Sequence, residues 1–250
     1  MQTTQRYEWV DALRGLAMLW MTVYHFCFDL NQFGFLHQDF YEDPLWTWQR
    51  TMILSLFLFC AGIGQAIAVA RGQSWAHFWR RWAQIALCAL LVTLGSWLMY
   101  PRSFIYFGVL HGMAVMLIVA RLSTARAGWL WALGAAAIAI KGVAAYAMDT
   151  GFAGQLADVL NSRQWNWIGF VTRKPITEDY VPLLPWLGVM LWGVAAGRWL
   201  TRRAAGPLAW SAPVALKPLA TLGRWSLTYY MLHQPVMIGA LMAVGWVLRH

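Results

Sequence analysis

The first apolar stretch of the chain carries three residues that can do proton-transfer or anion-binding chemistry: Arg14, His25 and Asp29. Arg14 and His25 are eleven residues apart, and a helix turning about 100° per residue brings them back to nearly the same face. Asp29 follows His25 by four residues, one turn further along that side. A histidine beside a carboxylate can abstract a proton, because the acid orients the imidazole and stabilises its charged form. The spacing predicts an arginine and a histidine–carboxylate pair roughly 16 Å apart along one helix.

Both features also have a purely structural interpretation. Arg14 can pair with Asp11, three residues earlier, and so anchor one end of the helix. His25 and Asp29 can form a polar contact between neighbouring helices in a membrane. The case for a functional site therefore depends on several such residues converging.

The composition places these residues in a membrane protein. Of 250 residues, 60% are apolar, 12% are charged and 18 are tryptophan, whereas a soluble protein must cover its surface with polar groups. Low charge argues against a disordered chain. The three cysteines lack a CxxC pair and His/Cys metal spacing, so they predict neither a disulfide scaffold nor a metal site. These observations indicate a protein that crosses the membrane several times.

Largely apolar stretches of about 20 residues, the length a helix needs to cross a bilayer, can be marked seven times. They predict an all-α bundle of about seven transmembrane helices in a single domain, 1–250. The acids near the start favour a retained first helix over a cleaved signal peptide. The predicted spans are 9–30, 46–70, 82–100, 104–121, 127–147, 181–198 and 220–248.

The distribution of charge predicts the orientation. With the N-terminus in the cytoplasm, ten basic residues fall in inner loops and five in outer segments, as the positive-inside rule requires. The net charge of +9 is thus an orientation signal of a multi-pass membrane protein, and it predicts no nucleic-acid partner. The inner residues are Arg6, Arg71, Arg80, Arg81, Arg121, Arg126, Arg198, Arg202, Arg203 and Lys217, and the outer ones Arg102, Arg163, Arg173, Lys174 and Arg249.

Ionisable residues inside the predicted spans are costly, so each needs a reason. Arg14 and Arg224 lie towards the inner side and His233 nearer the middle. The outer half holds His25, Asp29, Arg50, His111 and Lys141. Inner arginines suit an anionic ligand that arrives from the cytoplasm. Snorkelling to the interface is the better explanation for Arg50 and Lys141, and for His111 a structural role is as well supported as a functional one.

Five blocks of sequence, spread in order over almost the whole chain, resemble the bacterial heparan-alpha-glucosaminide N-acetyltransferase-like family. Each block alone is weak, but together they are a fairly specific signal. They are Asp11–Gly15, Met21–Leu30, Phe107–His111, Asp179–Trp186 and Leu222–Pro235.

The spacing of Arg14 and His25 also resembles the arginine–histidine motif of the wider transmembrane acyltransferase superfamily. The resemblance implies O- or N-acetyl transfer from cytoplasmic acetyl-CoA to a glycan or lipid-linked sugar on the outer face. His25, oriented by Asp29, would deprotonate the acceptor or carry the acetyl group. Four arginines would bind the CoA phosphates: Arg14, Arg224, Arg80 and Arg81. Acceptor binding or charge support would come from His111, His233, Asp179, Lys141 and Arg50.

The identity of the base has a rival. In animal lysosomal relatives the catalytic histidine lies in the loop after the corresponding first helix, and by position that is nearer His37 than His25. We favour His25, with His37 as the alternative.

A function from another class is a small-molecule or lipid carrier without chemistry, because charges inside a membrane are as typical of transport pathways as of active sites. Against it, we find no clear inverted repeat and no matched pair of broken helices. In either case the predicted partners are membrane lipids, and faces of small residues permit a homo-oligomer.

Overall fold

The computed structural model describes residues 7–125, 128–149, 154–202 and 212–247. Within those ranges the chain forms α-helices, short 3-10 turns and loops, without a β-strand, which confirms the all-α prediction. The helices are α1 Glu8–Gln32, α2 Pro44–Ala70, α3 Trp75–Met99, α4 Val109–Ser123, α5 Leu130–Asp149, α6 Gly154–Asn161, α7 Trp186–Arg202, α8 Lys217–Arg224 and α9 Ser226–Val247. Four basic residues used to predict the orientation lie outside the described residues: Arg6, Arg126, Arg203 and Arg249.

Each predicted span contains a helix, but the helices are not equally suited to crossing a bilayer. Among the described residues, four are long and apolar enough: α2, α3, α5 over Leu130–Ala147, and α9. Helices α4 and α7 have 15 and 17 residues, and α1 carries Glu8, Asp11 and Arg14 near its start. The last predicted span, 220–248, divides at Trp225 between α8 and α9.

Local sequence explains where several helices begin and end. Pro44 opens α2 just after Asp43, whose carboxylate accepts a hydrogen bond from the Leu45 amide at 2.8 Å, as helix-capping residues do. The Ser74 side chain caps α3 by accepting from the His77 amide at 3.3 Å. The turns after α1 and α2 use Gly34 and Gly72 at positive φ, a conformation that favours glycine.

The chain divides into two compact units, a terminal unit of Met1–Cys60 with Ala205–His250 and a central unit of Ala61–Ala204. In the terminal unit, α1 runs parallel to α9. Two side-chain contacts show this, because their partners keep a nearly constant sequence separation: Thr22 to Tyr229 and His25 to Gln234, separated by 207 and 209 residues.

Glycines let α1 and α8 approach each other closely. A Cβ atom on Gly15 would lie 1.9 Å from the Leu219 carbonyl oxygen, and one on Gly223 would lie 1.8 Å from the Asp11 carbonyl oxygen. Backbone atoms occupy both positions, so neither contact tolerates a larger residue without movement of a helix. This contact sets the relative height of α1 and α9, and with it the pairing of their polar side chains.

In the central unit, α3 packs on α4 and α5 packs on α7. A Cβ on Gly188 would lie 2.5 Å from the Gly134 carbonyl oxygen, which is the close approach that small residues give membrane helices. The segment before α7 is bonded to the segment before α4, because the Val181 amide donates to the Phe107 carbonyl at 3.1 Å.

Candidate functional site

His25 lies at the contact of α1 with α9, in the terminal unit. Its Nδ1 is 2.9 Å from the side-chain amide nitrogen of Gln234, and its ring centroid is 5.4 Å from that of His233. The Tyr24 ring meets it edge-on at 5.7 Å. Within the described residues no hydrogen bond reaches Nε2. The structure therefore brings together two histidines that are 208 residues apart in the sequence.

Two contacts hold the His233 ring. Its Nδ1 is 2.7 Å from the Tyr230 carbonyl oxygen, and the Tyr229 ring stacks on it at 6.0 Å and 10°. The Tyr229 hydroxyl is 2.7 Å from Thr22 Oγ1. Because the Thr22 hydroxyl donates its proton to the Met18 carbonyl, Tyr229 is the donor to Thr22. These bonds fix the stacked tyrosine to α1 and the imidazole to its own helix.

Asp29 is buried on α1, one turn beyond His25. Its Oδ2 has no hydrogen-bond partner among the described residues, which therefore contain no hydrogen bond from this oxygen to the His25 ring that Asp29 was predicted to orient. Gln234 occupies the place of the orienting group instead. Gln234 and Tyr229 are not among the residues predicted from the sequence to form a site, although both belong to the block Leu222–Pro235.

Three buried acceptor atoms of the terminal unit lack a donor in the described residues: Asp29 Oδ2, His233 Nε2 and Gln234 Oε1. Leaving a buried polar atom without a hydrogen bond costs about 1–3 kcal/mol, so such atoms are rare unless something else fills the site. Two of the three lie beside His25, on adjacent residues of α9. We call His25, Asp29, His233 and Gln234 the histidine seam.

Arg14 lies on α1, eleven residues before His25. Its Nη1 is 3.6 Å from Asp11 Oδ1 and donates to the Gly223 carbonyl at 3.4 Å. The alternative in which Arg14 pairs with Asp11 is thus confirmed as geometry, although the guanidinium stays partly exposed. Arg224, at the end of α8, is exposed and donates to Thr221 Oγ1 at 2.8 Å. Two cations therefore lie near the contact of α1 with α8, roughly 16 Å from His25 along α1.

His37, the rival base, is exposed and lines an open cavity of ≈ 440 Å³ just beyond α1. The cavity wall combines aromatic rings with amide and carboxylate groups. This mixture suits a ligand whose ring has polar substituents and an apolar face. Phe40, in that wall, is buried and stacks on Trp46 at 4.1 Å. The cavity is lined by Phe28, Asn31, Gln32, Leu36, His37, Gln38, Asp39, Phe40 and Tyr41.

His111 lies in the first turn of α4, in the central unit, and both of its ring nitrogens are used. The Gly108 amide donates to Nδ1 at 3.3 Å, and Nε2 is 3.0 Å from Thr93 Oγ1. Thr93 in turn donates to the Ile105 carbonyl at 2.8 Å, so His111 Nε2 carries the proton and donates to Thr93. This directional chain favours the structural interpretation of His111.

Asp179 caps the same helix. Its Oδ2 accepts from the Val109 amide at 2.8 Å, and a Cβ on Gly108 would lie 2.2 Å from that oxygen. The carboxylate at a helix N-terminus is favourable because backbone amides and the helix dipole both stabilise it. The adjacent Tyr180 donates to the Asn166 carbonyl at 2.6 Å, and burial, reinforced by Tyr106, raises the pKa of its phenol.

The remaining predicted site residues are exposed. Arg80 and Arg81 lie on α3 in the central unit, where Arg81 donates to Gln84 at 3.1 Å. Arg50 on α2 and Lys141 on α5 are also exposed, as the snorkelling interpretation requires. The histidine seam draws on none of these four.

The family model for heparan-alpha-glucosaminide N-acetyltransferase, catalytic, matches residues 6–235 of the chain. The chain belongs to this family. Neither the search of curated proteins nor that of solved structures found a significant match. Membership confirms the resemblance drawn from the five sequence blocks and implies acetyltransferase activity, in a family whose donor is in general acetyl-CoA.

The match to the N-acetyltransferase family covers all four residues of the histidine seam and ends one residue after Gln234. It also covers His37, His111 and Asp179. Together with four helices suited to crossing a bilayer, membership identifies a membrane protein of the acetyltransferase class.

We expect the substitution His111→Ala to lower the stability of the protein rather than its rate of acetyl transfer. It removes the acceptor of the Gly108 amide and the donor to Thr93, and leaving buried polar groups unpaired costs about 1–3 kcal/mol. Thermal unfolding in detergent measures the loss, and acetyl transfer per folded molecule should be retained. A variant that unfolds at the native temperature but no longer transfers acetyl groups would contradict the structural assignment.

Proposed function

We propose that the protein transfers an acetyl group from cytoplasmic acetyl-CoA to a glycan or lipid-linked sugar at the outer face of the membrane. The histidine seam carries the proposal, because it places the His25 imidazole, on the helix that also bears Arg14, beside acceptor atoms of His233 and Gln234 that have no hydrogen-bond partner among the described residues. Family membership supports the reaction class.

The proposed topology has seven spans in a single domain, with the N-terminus in the cytoplasm of a bacterium. The charge distribution supports it. It orients α1 so that Arg14 lies towards the cytoplasm and His25 towards the outer face. A reactive group on the far side of the membrane from the donor's phosphates is what transfer across a bilayer needs.

Acetyl-CoA is proposed to enter from the cytoplasm with its phosphates near Arg14 and Arg224. Arginine suits phosphate because its planar group donates two parallel hydrogen bonds. The pantetheine arm would follow α1 from Arg14 to His25, since roughly 16 Å of helix separates them, and the acetyl group would reach the histidine seam.

His25 is the proposed catalytic residue that contacts the reacting atoms, with the Asp29 carboxylate one turn further along. The cavity lined by His37 is the proposed acceptor site, because its aromatic rings and amides suit the faces and hydroxyls of a sugar. His37 is exposed in that wall, so it remains the rival for direct contact with the acceptor.

The test begins with acetyl-CoA and the purified protein in detergent. We expect saturable binding of labelled acetyl-CoA, slow hydrolysis, and transfer of the label to a membrane glycan of the host. A carrier without chemistry also accounts for charges inside a membrane, and it is the outcome if millimolar acetyl-CoA gives no detectable binding.

The substitution Arg224→Ala sharpens this test. We expect it to weaken acetyl-CoA binding by about 10–100-fold, the value of a charge-assisted hydrogen bond of about 1.5–3 kcal/mol. Lys141→Ala is the matched control, because it removes one exposed positive charge from a helix that is not proposed to contact CoA. Equal effects of the two substitutions on the dissociation constant would contradict the proposed donor site.

A further inference from the structure

The hydrogen bond of His233 fixes which of its ring nitrogens carries the proton. Its Nδ1 lies 2.7 Å from the Tyr230 carbonyl oxygen, and a carbonyl oxygen can only accept. Nδ1 must therefore donate. In the neutral imidazole the other nitrogen, Nε2, then holds a lone pair, which makes it an acceptor of protons.

That lone pair has no donor in the part of the chain that the structure describes. His233 Nε2 is buried without a hydrogen-bond partner, whereas the two nitrogens of His111 are both bonded in a closed chain of donors and acceptors. Pro235, two residues further along α9, has no amide proton and so leaves the backbone here less completely hydrogen-bonded than in a regular helix. A buried base without a partner is costly unless a ligand completes it.

In His25 the proton is on the other ring nitrogen. The side-chain nitrogen of Gln234 faces its Nδ1 at 2.9 Å, and an amide nitrogen can only donate, so Nδ1 accepts and Nε2 carries the proton. The reverse orientation of the Gln234 amide would leave its NH₂ group buried without an acceptor, which is less favourable than the single unpartnered carbonyl oxygen seen here. His25 thus offers an N–H and His233 a lone pair, on rings 5.4 Å apart.

We propose that His233 Nε2 is the general base of acetyl transfer and that the His25 Nε2 proton stabilises the oxyanion. This division of roles rests on the proposed function. His233 takes the proton from the hydroxyl or amine of the acceptor, while the oxygen or nitrogen of that acceptor group forms a bond to the acetyl carbon. His25 donates a hydrogen bond to the carbonyl oxygen as negative charge develops there. The carbon–sulfur bond then breaks, and the CoA thiolate takes the proton from the His233 imidazolium.

Two conservative substitutions separate the roles. In His233→Asn the side-chain amide keeps a donor for the Tyr230 carbonyl and removes the base, so we expect transfer to fall by about 10²–10⁴-fold in a folded protein. In His25→Gln an amide N–H replaces the Nε2 proton, so we expect a rate within about tenfold of native, whereas His25→Ala loses about 10²–10³-fold. The control is His77→Asn, which alters an exposed histidine of α3 and should leave transfer unchanged.

The opposite pattern of activities among these variants would contradict the proposal. If His25 is the base, His25→Gln is as inactive as His25→Ala, and His233→Asn stays active; either result overturns the proposal. Added imidazole provides a second criterion, since a lost base is rescued by a diffusible one. We expect imidazole to restore transfer in His233→Ala but not in His25→Ala.

A spectroscopic measurement tests the inference without any assay. Nitrogen-15 chemical shifts of labelled histidine in lipid bilayers distinguish an imidazole protonated at Nδ1 from one protonated at Nε2. We expect the Nδ1–H form for His233 and the Nε2–H form for His25, with each signal assigned by its loss in the matching variant. The opposite forms would overturn the proposal. A native protein that shows these forms but transfers no acetyl group would instead refute the proposed function.

Discussion

His25→Ala is expected to lower acetyl transfer by at least about 10²-fold while the protein still folds and inserts into the membrane. The His25 ring lies 5.4 Å from the His233 ring, and its Nε2 makes no hydrogen bond within the described residues. Removing one catalytic hydrogen-bond donor or base costs about 10²–10⁴-fold. The measurement is single-turnover transfer from labelled acetyl-CoA, compared with the thermal unfolding temperature of the same preparation.

The matched comparison is His37→Ala. Both substitutions remove a histidine of the terminal unit, but His37 is exposed in the cavity wall beyond α1. We expect His37→Ala to raise the KM for the acceptor more than it lowers kcat. Native activity in His25→Ala together with complete loss in His37→Ala would assign the catalysis to the rival.

The polar face of the first helix could be predicted because it depends only on helical periodicity. Residues 14, 25 and 29 lie within one helix, so their spacing determines which of them share a face. The interpretation of Arg14 was also available, since its pairing with Asp11 is local. Sequence periodicity therefore located the catalytic candidate on α1 before any tertiary contact was known.

The partners of His25 could not be found in the same way. Gln234 and His233 lie more than 200 residues away, and their height relative to His25 is set by the close contact of α1 with α8. That contact depends on Gly15 and Gly223, which from sequence alone are two glycines among 21. The carboxylate of Asp29 was predicted as the partner because it lies one helical turn from His25 on the same side, but Gln234 reaches Nδ1 instead.

The two outer-half histidines show why a residue type does not identify its role. His111 and His25 both follow apolar residues in predicted spans, and a structural role was open for each. In the structure His111 is enclosed by Gly108 and Thr93, with no nitrogen left over, whereas His25 has Nε2 unbonded within the described chain. Only the count of donors and acceptors around each ring distinguishes them.

The packing of α1 against α8 gives the second large expected effect. A methyl group added by Gly223→Ala would lie 1.8 Å from the Asp11 carbonyl oxygen, so α8 must move away from α1. Overpacking of this kind costs about 1–3 kcal/mol, and because the obstacle is backbone we expect a loss near the upper end. For a chain of this size that lowers the unfolding temperature by about 6–12 °C. Tryptophan fluorescence during heating in detergent measures the shift, since the chain has 18 tryptophans.

Gly239→Ala is the control for Gly223→Ala. Gly239 also lies in a helix of the terminal unit, but a Cβ there would have no atom within 4 Å. Alanine favours a helix over glycine by about 1 kcal/mol, so this substitution should leave the unfolding temperature unchanged or raise it. We further expect Gly223→Ala to weaken acetyl transfer, because moving α8 also shifts His233 and Gln234 relative to His25. Equal changes in unfolding temperature for the two substitutions would show that the contact of α1 with α8 is looser than described. The register that pairs the two histidines would then also be looser than described.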